Sequence, residues 1–367
     1  MQIAIVGLAG SGKTTVFNTL TRGHAETGGF GSLTLNVGVV KVPDERLDRL
    51  AEIFHPRKIV QADVTYVDLP APPASSEGRV GTEELPAEHL ARLRDSDALL
   101  HVVRAFDDPS VPHPSGSVDP LGDLEHLDLE FILADLAMVD RRLDRLSASG
   151  RHGTTAEREA NEKEEVILRQ LKVHLEAGRP IRDVALDADA SKAIRGFRFL
   201  TEKPVLVLLN IGERELGSAS ARVEAVRARY EHQSAMVDAL SARIEMELGE
   251  LEPGDAAVFM AELGIEQSGL GRIITLSYRL LGLISFLTAG PDEVRAWPIP
   301  DGTQAVDAAG AIHTDLARGF IRAETVSYQD LVSLRSMVEA RKAGRLRSEG
   351  RTYRVRDGDV LEILFSR

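Results

Sequence analysis

Residues 2–21 decide the fold, and they read QIAIV-GLAGSGKT-TVFNTLT. Gln2 to Val6 form a short apolar run typical of a buried strand, and Thr14 to Thr21 have helical character. The run between them satisfies the pattern G-x-x-x-x-G-K-[ST] with Gly7, Gly12, Lys13 and Thr14. A strand, a Gly-rich loop and a helix in this order predict a loop that binds the phosphates of a nucleotide.

Each position of this loop has a chemical task. Glycines let the backbone curl so that successive N–H groups point at phosphate oxygens, Lys13 supplies a cation to the β and γ groups, and the Thr14 hydroxyl ligates magnesium. We therefore expect ATP or GTP with Mg²⁺, and Lys13 is also a catalytic candidate. The residues expected to contact the nucleotide here are Gly7, Gly10, Ser11, Gly12, Lys13, Thr14 and Thr15.

Two further residues are candidates for the magnesium site. Asp68 ends the apolar run Val64 to Val67 and is placed as the magnesium carboxylate of such proteins. Thr34 lies in the loop before the second strand, where a switch threonine would close over magnesium and the γ-phosphate. Each signal is weak by itself, since an Asp after a strand is usually a turn residue.

The candidate base-reading turn is Asn210-Ile211-Gly212-Glu213, directly after the run Val205 to Leu209. Guanine-specific relatives have N-K-x-D here, so Ile211 and Glu213 change the two positions that favour guanine. Ser241 and Ala242 come one strand later, where backbone amides usually touch the base. These changes argue for ATP, while a GTPase of the same fold remains the alternative.

Strands and helices alternate along the first part of the chain, which predicts an α/β fold with a doubly wound, mainly parallel sheet. Apolar runs lie at Val37 to Val42, Val64 to Val67, Leu99 to Val103 and Val205 to Leu209, with helical stretches at Glu45 to Phe54 and Glu88 to Asp95. From about Leu283 the chain is strand-rich again, with runs at Val294 to Ile299, Gly319 to Val326 and Val360 to Phe365. We interpret this last part as a separate small α+β domain.

A helical hairpin is predicted between Glu125 and Gly178. Spacings of three and four place six apolar residues on one stripe, namely Leu129, Ile132, Leu136, Val139, Leu143 and Leu146. Ser149 to Gly153 break the helix, and a second apolar series follows at Ile167, Leu168, Leu171 and Leu175. The antiparallel hairpin either only packs or is an arm that binds a partner.

Composition limits the classes of function. The 367 residues include 57 acidic and 44 basic side chains, a formal net charge of −13, so contact with nucleic acid must be local. Zero cysteines exclude disulfides and thiolate metal sites. No apolar run reaches membrane-spanning length and no leader pattern precedes the first strand, so we expect a cytoplasmic protein without membrane contact.

A basic stretch near the C-terminus is the candidate for such a local contact. It contains Arg341, Lys342, Arg345, Arg347, Arg351, Arg354 and Arg356. The stretch is either a contact with the ribosome or its RNA, or a solvated helix face and strand.

Segments along nearly the whole chain resemble the YchF group of Obg-like ATPases. They include Val42-Pro43-Asp44-Glu45-Arg46-Leu47-Asp48, His101-Val102-Val103-Arg104-Ala105-Phe106, Phe199-Leu200-Thr201-Glu202-Lys203-Pro204, Val294-Arg295-Ala296-Trp297 and Gly319-Phe320-Ile321-Arg322-Ala323. The resemblance implies an Obg-type G-domain at 1–124 and 203–280, a coiled-coil insertion at 125–202, and a C-terminal TGS domain of β-grasp shape at 281–367. It also implies a preference for ATP through Asn210 and Glu213, and association with ribosomes and with translation or stress responses. The oligomeric state stays open.

Several positions depart from the family pattern. Gly10 stands where the family has Asn, a side chain linked to potassium activation in related NTPases, which argues against potassium dependence. The usual D-x-A-G-L-V reads Asp68-Leu69-Pro70-Ala71-Pro72-Pro73, so a glycine that contacts the γ-phosphate is lost. Hydrolysis is therefore expected to be slow, and a non-hydrolysing, ATP-gated binding protein is a further alternative. His113 aligns with a family histidine suggested to position water, although a histidine in a Pro-rich loop is more often a solvated surface residue.

Overall fold

A computed structural model gives the structure of the chain, and it describes residues 1–23, 35–69, 87–113, 116–149, 154–265 and 267–366. The chain forms two compact units. The first consists of Met1–Gly38 and Thr65–Leu270, and the second of Val39–Val64 and Gly271–Arg367.

The strands, in chain order, are β1 (Gln2–Val6), β2 (Asn36–Lys41), β3 (Lys58–Val60), β4 (Asp63–Asp68), β5 (Ala98–Ala105), β6 (Val205–Ile211), β7 (Ala235–Leu240), β8 (Leu283–Ala289), β9 (Glu293–Pro300), β10 (Phe320–Ser327), β11 (Arg347–Glu349) and β12 (Asp359–Phe365). The α-helices are α1 (Lys13–Thr21), α2 (Glu45–Phe54), α3 (Ala87–Asp95), α4 (Pro120–Ser149), α5 (Thr155–Glu176), α6 (Ala188–Ile194), α7 (Ala219–Arg227), α8 (Ala242–Glu250), α9 (Pro253–Glu262), α10 (Gly269–Leu280), α11 (Ala305–Ile312), α12 (Thr314–Arg318), α13 (Tyr328–Leu334) and α14 (Met337–Lys342).

The first sheet has six strands in the order β2-β4-β1-β5-β6-β7. The β1 strand pairs in parallel with β4 and β5, and β6 pairs in parallel with β5 and β7. Every residue of β5 and β6 is buried, as expected of parallel strands covered by helices on both faces. The predicted doubly wound, mainly parallel sheet is confirmed.

Helices α4 and α5 form the predicted antiparallel hairpin. Two ion pairs connect the helices, Arg142 with Glu164 and Asp140 with Lys172. The earlier residue of α4 pairs with the later residue of α5, so the helices are antiparallel. A capping box starts α5, because the Thr154 hydroxyl accepts from the Glu157 N–H while the Glu157 carboxylate accepts from the Thr154 N–H. Residues 150–153 of the predicted turn lie outside the described residues.

The apolar stripe of the hairpin is shorter than the sequence predicts. Its buried members form one cluster with the end of the hairpin and the segment after it, including Ile132, Val139, Leu143, Leu168, Leu171, Leu175 and Phe199. The prediction that Leu129 belongs to this stripe is wrong, since its side chain is 50% exposed. The neighbouring residues Leu127 and Phe131 of α4 pack in the core of the first sheet, and α5 ends at Glu176, so Leu129 lies outside the contact between the two helices.

The second unit contains a mixed sheet in the order β11-β10-β12-β8-β9-β3. The β8–β9, β10–β12 and β10–β11 pairs are antiparallel, whereas β8–β12 and β3–β9 are parallel. Apolar side chains of the sheet and of α11 form the core, among them Phe286, Ile299, Ala305, Ala309 and Leu361. This α+β arrangement agrees with the predicted β-grasp (TGS) domain.

Residues 39–64 cluster with the C-terminal segment, although the sequence places them in the G-domain. The physical reason is strand pairing, because Lys58 of β3 is in register with Glu293 of β9. The domain boundaries given above remain predictions. Within the part of the chain that the structure describes, no helix is both long and apolar enough to cross a bilayer.

Candidate nucleotide-binding site

The phosphate loop occupies the turn between β1 and α1, and three of its glycines have positive φ angles. The φ angle is 148° at Gly7, 73° at Gly10 and 91° at Gly12. A Cβ on Gly7 would lie 2.2 Å from the Val102 carbonyl oxygen, and a Cβ on Gly12 would lie 2.3 Å from Asn210 Nδ2. Both backbone conformation and close approach therefore require glycine at these two positions.

Lys13 begins α1, and its ammonium group binds two backbone carbonyls of the loop. Its Nζ donates to the carbonyl oxygens of Gly7 and Leu8, at 2.8 and 2.9 Å. Burial lowers the pKa of Lys13 to about 8, and the nearby Asp68 carboxylate opposes this shift. A triphosphate on the loop would give the ammonium an anionic partner in place of neutral carbonyls.

Thr14 and Asp68 form the pair expected at a magnesium site. The Thr14 hydroxyl donates to Asp68 Oδ2 at 3.1 Å, and Asn36 Nδ2 approaches the same oxygen at 3.4 Å. Asp68 is buried, and its Oδ1 has no hydrogen-bond partner among the described residues. Burial raises the pKa of the Asp68 carboxyl.

A hydroxyl and a buried carboxylate with one unpaired oxygen fit Mg²⁺, which prefers oxygen ligands and keeps several waters. When bound, the ion would neutralise charge on the phosphates. Thr34, the other magnesium candidate, lies outside the described residues. So do Pro70 to Pro73, the altered switch segment.

Asn210 links the phosphate loop to the start of α8. Its Nδ2 donates to the Ser11 carbonyl oxygen at 2.9 Å, and its Oδ1 accepts from the Ala242 N–H at 3.1 Å. Ser241 caps α8 by accepting from the Ile244 N–H. The ends of β6 and β7 therefore meet at the phosphate loop, as parallel strands require.

Ile211 and Glu213 of the predicted base-reading turn do not join this network. Ile211 is the last residue of β6, is 2% exposed, and packs in the core of the sheet. Glu213 is exposed at the start of a 3₁₀ helix, Glu213–Ser218. Its carboxylate is accessible to a ligand, whereas the side chain of Ile211 is directed to the core.

Arg104 is a site residue that the sequence reasoning missed. Although 2% exposed, it donates to three backbone carbonyls of the loop after β5, those of Phe106, Asp108 and Val111, at 3.2, 3.1 and 2.8 Å. The loop packs against the phosphate loop, since a Cβ on Gly10 would lie 3.1 Å from Val111 Cγ1. An arginine directly after an apolar run was the signal available in the sequence.

His113 lies two residues beyond this contact. Its Nε2 is 3.0 Å from Asp123 Oδ2, and both side chains are 5% exposed. Burial raises the pKa of the Asp123 carboxyl. The histidine is therefore fixed near the start of α4 rather than solvated, and its role in positioning water remains a prediction.

The predicted basic stretch is largely neutralised within the second unit. Arg341 pairs with Glu324, Lys342 with Glu339, and Arg347 with Asp359. The Arg351 guanidinium donates to the Phe320 carbonyl oxygen. Arg354 and Arg356 are exposed, and neither guanidinium has a partner in the described part of the chain.

A phosphate loop between β1 and α1, an aspartate at the end of β4 and an asparagine at the end of β6 define a P-loop nucleoside triphosphatase of the G-domain type. Two family models match the chain. Residues 2–135 match "50S ribosome-binding GTPase", and residues 283–366 match the model YchF-GTPase_C, described as "Protein of unknown function (DUF933)".

Full-length relatives agree with these matches. The chain is 40% identical to the "Ribosome-binding ATPase YchF" of Bacillus subtilis and 38% identical to that of Escherichia coli O157:H7, and each match covers 100% of this chain and 99% of the relative. The solved structure of the Schizosaccharomyces pombe YchF GTPase superposes with a TM-score of 0.84 at 30% identity, over 99% of this chain and 97% of that one. The chain belongs to the YchF family.

Proposed function

We propose that this protein is a magnesium-dependent ATPase that binds the ribosome and changes its association according to the bound nucleotide. The observation that carries the proposal is the phosphate loop, where Lys13 and the Thr14–Asp68 pair are arranged for a triphosphate and Mg²⁺. The relatives named as ribosome-binding ATPases support the choice of nucleotide and partner. Such a factor acts in the cytoplasm, where its partner is.

Adenine is the base we assign to the site. Asn210 holds the phosphate loop and the start of α8 together, and the exposed Glu213 carboxylate is the group that accepts from the adenine amino group. The lysine stem that would support guanine is replaced by Ile211, whose side chain is in the core. Competition calorimetry with ATP and GTP tests this, with ATP expected to bind about tenfold tighter; equal affinity or a preference for GTP rejects the assignment.

Association with the ribosome is assigned to the C-terminal TGS domain and its free cations. Among the residues that the structure describes, the guanidinium groups of Arg354 and Arg356 have no partner. Replacing both with Ala should weaken co-sedimentation with purified ribosomes and lower the steepness of its salt dependence, because about two phosphate contacts are lost. The matched control is Arg341→Ala with Lys342→Ala, since these charges are already paired; an equal effect of both double variants contradicts the assignment.

A further inference from the structure

A groove beside helix α4 combines positive charge with an aromatic ring. It has a volume of about 360 Å³ and is lined by Met138, Arg141, Arg142, Arg145, Gly196 and Phe197. We call it the α4 groove. Its size falls at the lower end of the range for ligand pockets, about 300 to 1,000 Å³, and the lining just named contains no carboxylate. Both features suit a small planar anion or part of a larger one.

Two of the three arginines that line the groove form no ion pair with the described residues. Arg141 and Arg145 lie one helical turn apart on α4, so they share a face. Both are exposed, and neither has an ion-pair or hydrogen-bond partner among the described residues. Arg142 differs, because Glu164 of α5 binds it through Nε and a terminal nitrogen at 2.7 and 2.8 Å. The α4 groove therefore presents two guanidinium groups without partners among the described residues. The ion pair between Arg142 and Glu164 connects α4, which carries them, to α5.

The lining of the α4 groove also includes an aromatic ring, Phe197, which packs against the hairpin cluster. The Phe197 ring stacks on Phe199 with 5.1 Å between centroids and 2° between planes, and Phe199 is fully buried in the hairpin cluster. Between them Arg198 has φ 51°, a left-handed conformation disfavoured for residues other than glycine. Arg198 ends the short 3₁₀ helix at 195–197, and the stacking on Phe199 holds the Phe197 ring at the groove.

We infer that the α4 groove binds a nucleotide of single-stranded RNA. A base has a flat face that stacks on an aromatic ring, and its phosphates are the anions that arginines recognise. Arg141 and Arg145 then contact the backbone while Phe197 and Met138 contact the base. An acidic peptide would pair with the arginines but would leave the ring without a planar partner. The inference rests on the proposed ribosome association, since the ribosome is the source of the RNA.

The test uses the full-length protein and a fluorescein-labelled single-stranded RNA of about 12 nucleotides, a length that spans a typical single-strand site. Arg141→Ala with Arg145→Ala should lower the affinity at least tenfold and reduce the magnitude of the log–log salt slope by about 1.4, for two lost contacts to a single strand. Phe197→Leu keeps an apolar side chain of similar size and should lower the affinity about tenfold through lost stacking. Unchanged ATP binding and circular dichroism show that each variant is folded.

The control removes the same charge from the other helix of the hairpin. Arg158 and Lys163 of α5 are exposed, and their double Ala variant should bind the RNA within about twofold of the native protein. If both groove variants bind the RNA as the native protein does, the inference is overturned. If they lose ribosome co-sedimentation but keep RNA affinity, a ribosomal protein occupies the groove and the RNA assignment is overturned.

Failure of the proposed function looks different. The native protein would then not co-sediment with ribosomes in any nucleotide state. Groove-dependent binding of the labelled RNA would still support the inference in that case. Normal co-sedimentation together with groove-independent RNA binding would leave the proposed function standing and remove the inference.

Discussion

Lys13 shows how burial of one charge makes nucleotide affinity depend on pH. Its pKa in the ligand-free protein is lowered to about 8 by burial, and phosphate oxygens would raise it. Well below pH 8 the Lys13 ammonium is protonated both in the free protein and with phosphate bound, so its contribution to ATP affinity is complete there. Above pH 8 the free protein loses the proton and binding must take it up again.

We therefore expect ATP to bind about tenfold more weakly at pH 9 than at pH 7, with proton uptake at the higher pH. Calorimetry in two buffers of different ionisation enthalpy measures both quantities. Lys13→Arg is the matched variant, because arginine stays charged and its affinity, whatever its absolute value, should not change over this range. An affinity of the native protein that is constant from pH 7 to pH 9 would contradict the assignment of Lys13 to the phosphates. Lys13→Ala should abolish tight binding.

Residues of the site differed in how far the sequence could predict them. Gly7 to Thr14 are contiguous, so their spacing alone identifies the loop and its chemistry. Asn36 and Arg104 act through contacts with Asp68 and with the loop after β5, and only the fold brings those partners together. For Arg104 the sequence offers only a charged residue after an apolar run, which does not identify the carbonyl groups that it binds.

Asn210 connects the phosphate loop to the start of α8, and its replacement should remove that connection. In Asn210→Ala the Ser11 carbonyl and the Ala242 N–H lose their partner in a buried place, at a cost of about 1 to 3 kcal/mol each. We expect the ATP affinity to fall tenfold or more in calorimetry. Asn210→Asp keeps the acceptor for the Ala242 N–H but loses the donor to the Ser11 carbonyl oxygen, so its ATP affinity should also be lower than that of the native protein. The control Arg214→Ala changes an exposed residue of the 3₁₀ helix that follows the turn. If it lowers affinity as much, the loss of the Asn210 hydrogen bonds is not the cause.

The hairpin predicts a contrast between two leucines of similar pattern. Leu168 is fully buried in the hairpin cluster, whereas Leu129 is 50% exposed. Leu168→Ala should lower the free energy of unfolding of the protein by about 2 to 5 kcal/mol, and Leu129→Ala by less than about 0.5 kcal/mol. Urea unfolding followed by circular dichroism measures both, and a comparable loss for Leu129 would show that the seam extends further than the structure has it.

Elements with a strong local pattern were predicted closely. The amphipathic helix Glu45–Phe54 has the bounds read from the sequence, and its N-terminus is fixed because the Asp44 carboxylate accepts from the Arg46 N–H. The short strand Lys58–Val60 was missed, since three residues carry no period and its partner, β9, is far away in the chain. For the same reason the grouping of 39–64 with the C-terminal segment was not predictable from local sequence.

At the scale of the whole molecule, turnover is expected to depend on a partner. Residues 70–73 lie outside the described residues, and it is their sequence that indicates slow turnover. A switch glycine can turn its N–H toward the γ-phosphate through conformations that are closed to Ala71. Pro72 restricts Ala71 to extended geometry and offers no N–H of its own. The sequence of this segment therefore offers fewer N–H donors than the Ala-Gly-Leu-Val of the family pattern.

The altered segment should reduce ATP affinity less than it reduces the rate of hydrolysis, since the loop of Gly7 to Thr14 supplies most of the phosphate contacts. Each lost preorganised donor costs on the order of a hundredfold in rate, so unstimulated ATP hydrolysis should be slow while ATP affinity persists. Replacing residues 70–73 with Ala-Gly-Leu-Val should raise the unstimulated rate, measured by phosphate release, without a matching change in affinity. His113→Ala, made in the native protein and in the replacement variant, then separates the contribution of His113 to the rate from that of this segment. Fast hydrolysis by the native chain alone, or no gain in the replacement, would show that this segment does not limit the reaction.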